Sequence, residues 1–385
     1  MSTSGKTFSA DSTLLADIRM LRETLHTIPE QSWNEQKTSR TIQSFVSRHC
    51  TGAEVTQLAG TGFMVVFRGK TEGPRTVIRC ELDAVRVTES ADHAIRSNTP
   101  EFSHACGHDG HMAVSAGLAA ILCEKPPEKG TVALLFQPAE ESGEGAAAVM
   151  EHPSFKSFNP DYIFAFHNIP GAPEGTIIVR DNLFAFASKG MHITLTGTPA
   201  HAASPGSGIN PTDAALDLAR AIPLSAVQPS LATITYIRVG SPDMGRAPFD
   251  AELSMTLRSP RNTGLGVFSK AAETLARSTA EAAGLKVAVS WSDIFPETAN
   301  NPACTAIIRQ AAACAEFTMT EPAEPFPWSE DFGYYTALYH GALFGIGSGH
   351  TAPLHDQDYS FPDSIISPAL EMYLRIIDHI HGSEH

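Results

Sequence analysis

Residues 131–141 read TVALLFQPAEE, an apolar run that ends in a pair of carboxylates. An unbroken apolar run of this length is typical of a strand buried on both faces, as in a parallel sheet. Similar apolar runs and helical patterns alternate along the chain, at 76–82, 112–123, 161–167, 343–346 and 366–381. This alternation predicts an α/β fold with a mostly parallel sheet between layers of helices.

Residues 185–297 follow a different pattern, because apolar and polar residues alternate in their predicted strands. Such alternation is typical of an antiparallel strand with one buried and one exposed face. Four apolar residues would share the buried face of one strand: Ala251, Leu253, Met255 and Leu257. Together with two helical patterns, these strands predict a βαββαβ sandwich in which two helices cover one sheet.

The α/β pattern returns after residue 297. We therefore predict a catalytic α/β/α domain, residues 1–184 and 298–385, interrupted by a smaller α+β lid domain, residues 185–297. The length of 385 residues suits two domains better than one core.

The net charge of −15 argues against nucleic acid and anionic membrane as partners. No run approaches the roughly 18 apolar residues of a membrane helix, so none is expected. The polar start, MSTSGKTFSADST, lacks the apolar core of a signal peptide, and we expect a cytoplasmic location. The 6 cysteines form no CxxC pair. Apart from Cys106, we interpret them as reduced, buried small residues.

The run HACGHDGH at 104–111 is the densest cluster of metal-type ligands in the sequence. Its glycines let the backbone bend so that Cys106 and His108 can face one point. A thiolate with an imidazole suits a borderline metal such as Zn, Mn, Co or Ni. Cys106 could instead act as a nucleophile. A metal thiolate is the simpler interpretation, because other ligand types surround it.

Glu140 and Glu141 directly follow the buried strand, at the edge where α/β folds bind their ligands. Adjacent acids point in different directions, so one can bind a metal while the other transfers a proton. Two single histidines complete the candidate set. His167 ends another apolar run, and His355 lies in a later loop, where His350 competes for the same role.

Taken in order, these runs resemble the M20 family of metallopeptidases, in its amidohydrolase branch. That branch contains hippurate hydrolases, auxin-conjugate hydrolases and bacterial aminoacylases. The resemblance covers nearly the whole chain, and its matching runs are LRETLHTIPE at 21–30, HACGHDGH at 104–111, FQPAEE at 136–141, FAFHNIPG at 164–171, PAHAASP at 199–205 and SEDFGYY at 329–335.

The resemblance implies two divalent metal ions, with Mn²⁺ favoured over Zn²⁺, Co²⁺ or Ni²⁺. It also implies that Glu140 is the general base for a metal-activated water, that Asp83 orients the ligand residues, and that His201 reaches the scissile carbonyl oxygen. The implied metal ligands, with the cysteine as the bridge between the ions, are Cys106, His108, Glu141, His167 and His355.

By this resemblance the chain hydrolyses the amide bond of a small N-acyl amino acid or amino-acid conjugate. Two segments depart from the family pattern. Residues 81–86 read ELDAVR where the branch has Asp-x-Asp-Ala-Leu-Pro, and residues 245–248 read GRAP where a lid asparagine is usual. Arg246 and Arg258 are candidates for binding a substrate carboxylate, because arginine pairs with carboxylates through two hydrogen bonds.

Several alternatives stay open at this point. The chain could be a dipeptidase or aminopeptidase, or a deacetylase of a specialised N-acyl compound such as a modified cysteine or diaminopimelate. A metal-binding protein without catalysis would have lost the base, yet Glu140 is present. Since the lid domains of some relatives pair, we also expect a homodimer through the lid domain.

Overall fold

The computed structural model describes residues 12–349 and 351–382, which form two compact units. The large unit lies within residues 1–184, 298–324 and 331–385, and the small unit comprises residues 185–297 and 325–330. The sequence-based boundaries assign residues 325–330 to the catalytic domain. They group with the small unit because the N–H of Phe186 contacts the carbonyl groups of Phe326 and Trp328.

The large unit begins with two helices, after which strands and helices alternate along the chain. Its first stretch contains α1 (Ser12–His26), α2 (Gln36–His49), β1 (Glu54–Gln57), β2 (Phe63–Arg68), β3 (Thr71–Glu81), α3 (His108–Glu124), β4 (Lys129–Gln137), α4 (Gly145–Glu151), α5 (Pro153–Phe158), β5 (Tyr162–Ile169), β6 (Ile177–Ile178) and β7 (Asn182–Ala185).

The small unit follows with β8 (Ala187–Thr196), β9 (Ala200–His201), α6 (Thr212–Leu224), β10 (Leu231–Val239), β11 (Arg246–Ala247), β12 (Asp250–Ser259), α7 (Asn262–Ala282) and β13 (Lys286–Phe295). The last stretch contains β14 (Thr298–Asn300), α8 (Pro302–Cys314), β15 (Met319–Thr320), α9 (Gly333–Thr336), β16 (His340–Gly347) and α10 (Ile366–His381). Short 3₁₀ helices lie at Pro205–Ser207 and Asp363–Ile365.

The large unit contains an eight-stranded sheet in the order β1-β2-β4-β3-β5-β16-β6-β15. Its central strands β4, β3, β5 and β16 run parallel. Successive residues of these strands are buried, so both faces of the sheet are covered. The predicted α/β class with a mostly parallel sheet is confirmed. Parallel strands bring their carboxyl ends to one edge of the sheet.

Helix α3 begins earlier than the sequence indicates. The pattern predicts a helix from residue 112, whereas α3 starts at His108. Gly107 adopts φ 91°, in the left-handed region that glycine favours, and turns the loop directly into the helix. Residues 108–111 therefore form the first helical turn. Their sequence, HDGH, lacks the apolar spacing from which a helix is predicted. Within residues 12–349 and 351–382, no helix has the length and apolar character needed to cross a membrane.

The small unit has a four-stranded antiparallel sheet in the order β10-β12-β8-β13. With α6 and α7, its main elements follow the predicted βαββαβ order. The four residues predicted for one buried face of β12 are each at most 1% exposed, and this prediction is confirmed: Ala251, Leu253, Met255 and Leu257.

The interpretation of the cysteines was wrong for Cys50 and Cys123, which form a disulfide. Helices α2 and α3 pack together and bring the two Cα atoms to 5.5 Å, although the residues are 73 positions apart. Sequence spacing alone does not reveal such a pair. A link of this kind typically stabilises a fold by about 2–4 kcal/mol. Because disulfides are commoner in oxidising compartments, the cytoplasmic location stays a prediction.

The remaining cysteines have free thiols. Cys80 and Cys304 are buried as expected, whereas Cys314 at the end of α8 is exposed. Cys106 is also buried, and it lies at the carboxyl edge of the central strands.

Candidate metal centre

The five predicted ligand residues meet at the carboxyl edge of the central strands. His167 lies in β5 and Glu141 follows β4. Cys106 lies in the turn before α3, His108 begins that helix, and His355 lies in the loop after β16. Within each of two triads, the candidate ligand atoms lie within 4.8 Å of one another. The triads are Cys106–His108–His167 and Cys106–Glu141–His355, and they share the cysteine. His350, the competitor of His355, lies outside the described residues.

Two polar atoms in this cluster lack the hydrogen-bond partners that burial demands. They are Nε2 of His108 and Oε1 of Glu141, which lie 3.8 Å apart. That distance is too long for a hydrogen bond. Ligand atoms at about 2.0–2.3 Å from one ion lie about 3–4 Å from each other. A thiol, imidazoles and a carboxylate also form a donor set that suits a divalent transition ion. These residues therefore fit the metal pair that the resemblance implies.

The electrostatics of the cluster agree with this fit. Burial lowers the pKa of His167 to about 3 and also lowers the pKa of His108, so both imidazoles are neutral. Burial, with the nearby carboxylates, raises the pKa of the Cys106 thiol well above its usual range. Burial and the charge of Asp83 likewise raise the pKa of Glu141. A bound cation would favour the ionised thiol and carboxylate, so metal binding and proton release are coupled.

Asp83 contacts the cluster through both its backbone carbonyl and its carboxylate. Its carbonyl oxygen accepts a hydrogen bond from Nδ1 of His108 at 2.9 Å, which directs Nε2 of that histidine toward the other ligands. Its carboxylate accepts the backbone N–H groups of Glu140 at 3.1 Å and Glu141 at 3.0 Å, and the hydroxyl of Ser32 at 2.6 Å. Asp83 thus connects His108 to residues 138–144 between β4 and α4, which we term the acidic loop.

A buried ionic network next to the cluster was not predicted from the sequence. The guanidinium of Arg79 in β3 is fully buried and forms ion pairs with Glu81 and Asp331, and its Nε donates to Gln137 at 2.9 Å. Arg79 and Glu81 lie two positions apart in β3, which places them on the same face of the sheet, and Asp83 follows the end of the strand. Charged residues at every second position of a buried strand were the signal that could have revealed this network.

His111 extends the network toward the ligand histidines. Its Nδ1 lies 2.7 Å from Glu81 and its Nε2 lies 2.6 Å from the side-chain oxygen of Asn168. Nδ1 of His167 donates to the backbone carbonyl of Asn168 at 2.9 Å, so Nε2 of His167 faces Cys106 at 3.5 Å. His108 and His167 are therefore each oriented by a carbonyl group at Nδ1, as is common in metal sites.

Helix α1 contacts the first turn of α3, which carries His108. Arg22 and His26 lie one turn apart and contact the carboxylate of Asp109 at 3.1 Å and 2.9 Å. Nε2 of His26 lies 2.8 Å from Glu89. Burial disfavours the charge on His26, but its hydrogen bonds to Asp109 and Glu89 outweigh it and raise its pKa to about 9. The imidazole is therefore charged at neutral pH.

In the small unit, the short strands β9 and β11 pair so that His201 lies directly opposite Arg246. Directly opposed residues of an antiparallel pair project from the same face. Nδ1 of His201 accepts the N–H of Ala203 at 3.0 Å, which leaves Nε2 as the proton-bearing donor. Arg246 is 48% exposed and lies over the ring of Phe249 at 5.1 Å, with Asp243 at 3.7 Å.

Arg258 is less accessible than Arg246. Its guanidinium donates to the carbonyl of Pro327 at 3.2 Å and to the hydroxyl of Ser329 at 3.0 Å within the small unit. Burial lowers its pKa. Of the two arginines predicted to bind substrate, Arg246 has the more available guanidinium.

Buried thiol, imidazole and carboxylate groups at the carboxyl edge of a parallel sheet, with Glu140 beside them, are the arrangement of a metal-dependent hydrolase. Comparisons with known proteins agree with this class. The sequence model described as peptidase family M20/M25/M40 matches residues 77–379. The chain belongs to this family.

Individual relatives cover most of the chain. The N-acetyl-L-cysteine deacetylase of Bacillus subtilis is 30% identical over 348 residues, 88% of this chain and 82% of the relative. Thermostable carboxypeptidase 1 of Saccharolobus solfataricus is 29% identical over 369 residues, 91% of each chain. The chain is thus a hydrolase that acts on amide bonds.

A solved structure confirms the fold. The YxeP protein of Bacillus subtilis, described as a dinuclear metal binding peptidase from the M20 family, aligns with a TM-score of 0.78 at 24% identity. The alignment covers 97% of this chain and 100% of that protein.

We expect His26→Gln to lower the free energy of unfolding most strongly below pH 6.5. The folded pKa of His26, about 9, lies above its unfolded value of 6.5. Its ion pairs therefore stabilise the fold fully below pH 6.5, and this contribution declines as the pH rises through 9. Urea unfolding at a series of pH values would show a difference of about 2–3 kcal/mol at low pH that shrinks in alkaline solution.

The exposed His379 provides the control, and His379→Gln is expected to follow the wild type at every pH. A difference between His26→Gln and the wild type that stays constant with pH would contradict a charged His26.

Proposed function

We propose that the chain hydrolyses the amide bond of an N-acyl amino acid or amino-acid conjugate, with Glu140 as the general base. The position of Glu140 carries this proposal. Its side chain is 6% exposed, and its carboxylate lies 3.9 Å from Nε2 of His108. The neighbouring Glu141 belongs to a triad with Cys106. Glu140 belongs to neither triad with Cys106, although its carboxylate lies within 4.8 Å of ligand atoms of His108 and Glu141. A second carboxylate beside the ligands is suited to proton transfer.

The proposed ligands divide into two sets. Cys106, His108 and His167 would hold one ion, and Cys106, Glu141 and His355 the other, with Mn²⁺ favoured over Zn²⁺, Co²⁺ or Ni²⁺. When bound, such ions lower the pKa of water toward about 7 and polarise the amide carbonyl. A thiolate, a carboxylate and imidazoles are compatible with any of these metals.

Proton transfers are assigned to side chains of the protein. Glu140 accepts a proton from the attacking water and later gives it to the leaving nitrogen. The Nε2–H of His201 donates to the carbonyl oxygen as negative charge develops there. The tautomer supports this role of His201, because its Nδ1 already accepts a hydrogen bond.

Arg246 is proposed to bind the carboxylate of the substrate. It projects from the same face as His201 and carries a half-exposed guanidinium. The 30% identity to an N-acetyl-L-cysteine deacetylase favours a small acyl group such as acetyl. The likeness to a carboxypeptidase supports peptides as a second class of substrate. Both classes would present a carboxylate near the scissile amide.

Glu140→Gln is expected to lower kcat by about 10²–10⁴-fold, because a general base contributes that much to the rate. Metal-free protein would be resupplied with Mn²⁺, Zn²⁺, Co²⁺ or Ni²⁺ and tested on N-acyl amino acids and dipeptides. Metal content would be measured in parallel and is expected to stay unchanged. Glu144→Gln, an exposed carboxylate in the same loop, is the matched control with wild-type kcat. Activity without metal, or an active Glu140→Gln variant, would rule out this mechanism.

Arg246→Ala is expected to raise KM for N-acetyl amino acids roughly 10- to 100-fold, as loss of a charged hydrogen bond predicts. Substrates whose carboxylate is replaced by a carboxamide should be unaffected by the substitution, because they lack the charge. Arg277→Ala on α7 removes an exposed arginine paired with Glu273 and serves as the control. An equal effect of Arg246→Ala on both substrate series would exclude carboxylate binding.

We also propose that two copies of the chain associate through the small unit. β10 is an outer strand of its sheet, and it carries the exposed apolar side chains of Ile234, Tyr236 and Ile237. An outer strand directs backbone N–H and carbonyl groups away from its sheet. Two identical strands can pair in antiparallel fashion about a twofold axis, which gives a closed dimer.

Light scattering is expected to give the mass of two chains for the wild type and of one chain for the double variant Ile234→Lys/Ile237→Lys. Lysines on both paired strands would repel each other and prevent pairing. Val267→Lys changes an exposed apolar residue on α7 and should leave the mass unchanged. A wild type with the mass of one chain would refute the proposal.

A further inference from the structure

A second buried carboxylate, that of Glu35, contacts the backbone next to Glu140. Glu35 is 0% exposed. Its Oε1 accepts the N–H groups of Ala139 at 2.9 Å and Trp33 at 2.8 Å, and its Oε2 accepts the hydroxyl of Thr61 at 2.6 Å. Both oxygens thus have partners within the protein. This arrangement suits a residue that orients the backbone.

Glu35 occupies the N-cap position of α2, but its side chain accepts no hydrogen bond from that helix. The cap is provided by Glu30, whose carboxylate accepts the N–H groups of Lys37 and Thr38, both at 2.8 Å. The start of α2 therefore does not depend on the carboxylate of Glu35. Its contact with Ala139, 104 positions away, needs another explanation.

Ala139 has an unusual backbone conformation. Its φ of 52° lies in the left-handed region, although it has a Cβ atom and is fully buried. Such a conformation is strained for a residue with a Cβ atom, and it persists only when its surroundings hold it. Its carbonyl accepts the N–H of Gly145 at 3.0 Å, and its N–H is held by Glu35. Because Glu140 follows directly, this conformation sets the direction of the Glu140 side chain.

Two carboxylates together hold three successive N–H groups. Glu35 binds that of Ala139, and Asp83 binds those of Glu140 and Glu141. Backbone fixed at three consecutive residues leaves the Glu140 side chain few alternative directions. Holding a reacting group in one direction is a large contribution to catalysis.

We propose that Glu35 is a positioning residue for the general base. By holding the N–H of Ala139 it maintains the left-handed turn that directs the Glu140 carboxylate toward the ligand triads. This inference rests on the role of Glu140 proposed above. Glu35 acts through the backbone and takes no part in binding metal or substrate.

Two substitutions of Glu35 separate positioning from charge. Glu35→Ala removes the acceptor, and we expect kcat to fall about 10- to 100-fold while KM and metal content change little. Glu35→Gln keeps an oxygen for both N–H groups, and its amide can donate to Thr61. We expect this conservative variant to restore most of kcat. Hydrogen exchange at residues 139–141 should be faster in Glu35→Ala and near normal in Glu35→Gln.

Glu30→Ala is the matched control, because it removes a carboxylate that holds two N–H groups of α2 but does not contact the acidic loop. It should lower the melting temperature and leave kcat and exchange at 139–141 unchanged. Should Glu35→Ala not fold, Glu35→Asp, which withdraws the carboxylate by one methylene, takes its place.

Three results would overturn the proposal: a wild-type kcat in Glu35→Ala, a Glu35→Gln variant as impaired as Glu35→Ala, or an equal loss of kcat in Glu30→Ala. Failure of the proposed function is recognised separately, because the wild type would then show no metal-dependent amide hydrolysis. In that case hydrogen exchange at residues 139–141 is the test. Unchanged exchange in Glu35→Ala would show that Glu35 does not maintain the left-handed turn at Ala139.

Discussion

The burial of several carboxylates at one edge of the sheet is the constraint on which the rest of the large unit depends. Glu81, Asp83, Glu140 and Glu141 lie together with little access to water, and an uncompensated buried charge costs several kcal/mol. Arg79 compensates Glu81, and backbone N–H groups compensate Asp83. Divalent cations would compensate Glu141 and the ionised thiol of Cys106. The same charges thus create both the need for metal and the site that meets it.

One short stretch near the start of the described chain supports both ligand-bearing loops. Arg22 and His26 bind Asp109 beside the first histidine ligand, Ser32 binds Asp83, and Glu35 binds Ala139 in the acidic loop. The residues of this stretch bind no ligand atom themselves. They hold the loops that leave β4 and enter α3, so the geometry of the site depends on helix α1 and the turn after it as much as on the strands.

The fold class and the chemical type of the site could be predicted from local patterns. Unbroken apolar runs indicated the parallel strands, and HACGHDGH with the Glu140–Glu141 pair indicated ligands and a base. The contacts between distant segments could not be predicted. Cys50 meets Cys123 only because α2 packs on α3, and Glu35 meets Ala139 across 104 positions. A sequence shows which side chains can bind or react. It does not show which backbone N–H group a carboxylate will hold, because every residue except proline has one. Arg79 differs from these contacts, because a charged residue within a buried apolar strand is a signal that the sequence carries.

Residues 325–330 limit how the small unit could be transferred to another protein, because they belong to it but lie apart from it in the sequence. Phe326 and Trp328 contact Phe186, and Ser329 contacts Arg258, so this stretch completes the small unit. The backbone therefore passes between the two units four times, where a simple insertion needs two passages. A graft of residues 185–297 alone would arrive without these partners. Recombination that moves the small unit to another protein has to transfer residues 325–330 together with residues 185–297. The two segments are therefore expected to be inherited together.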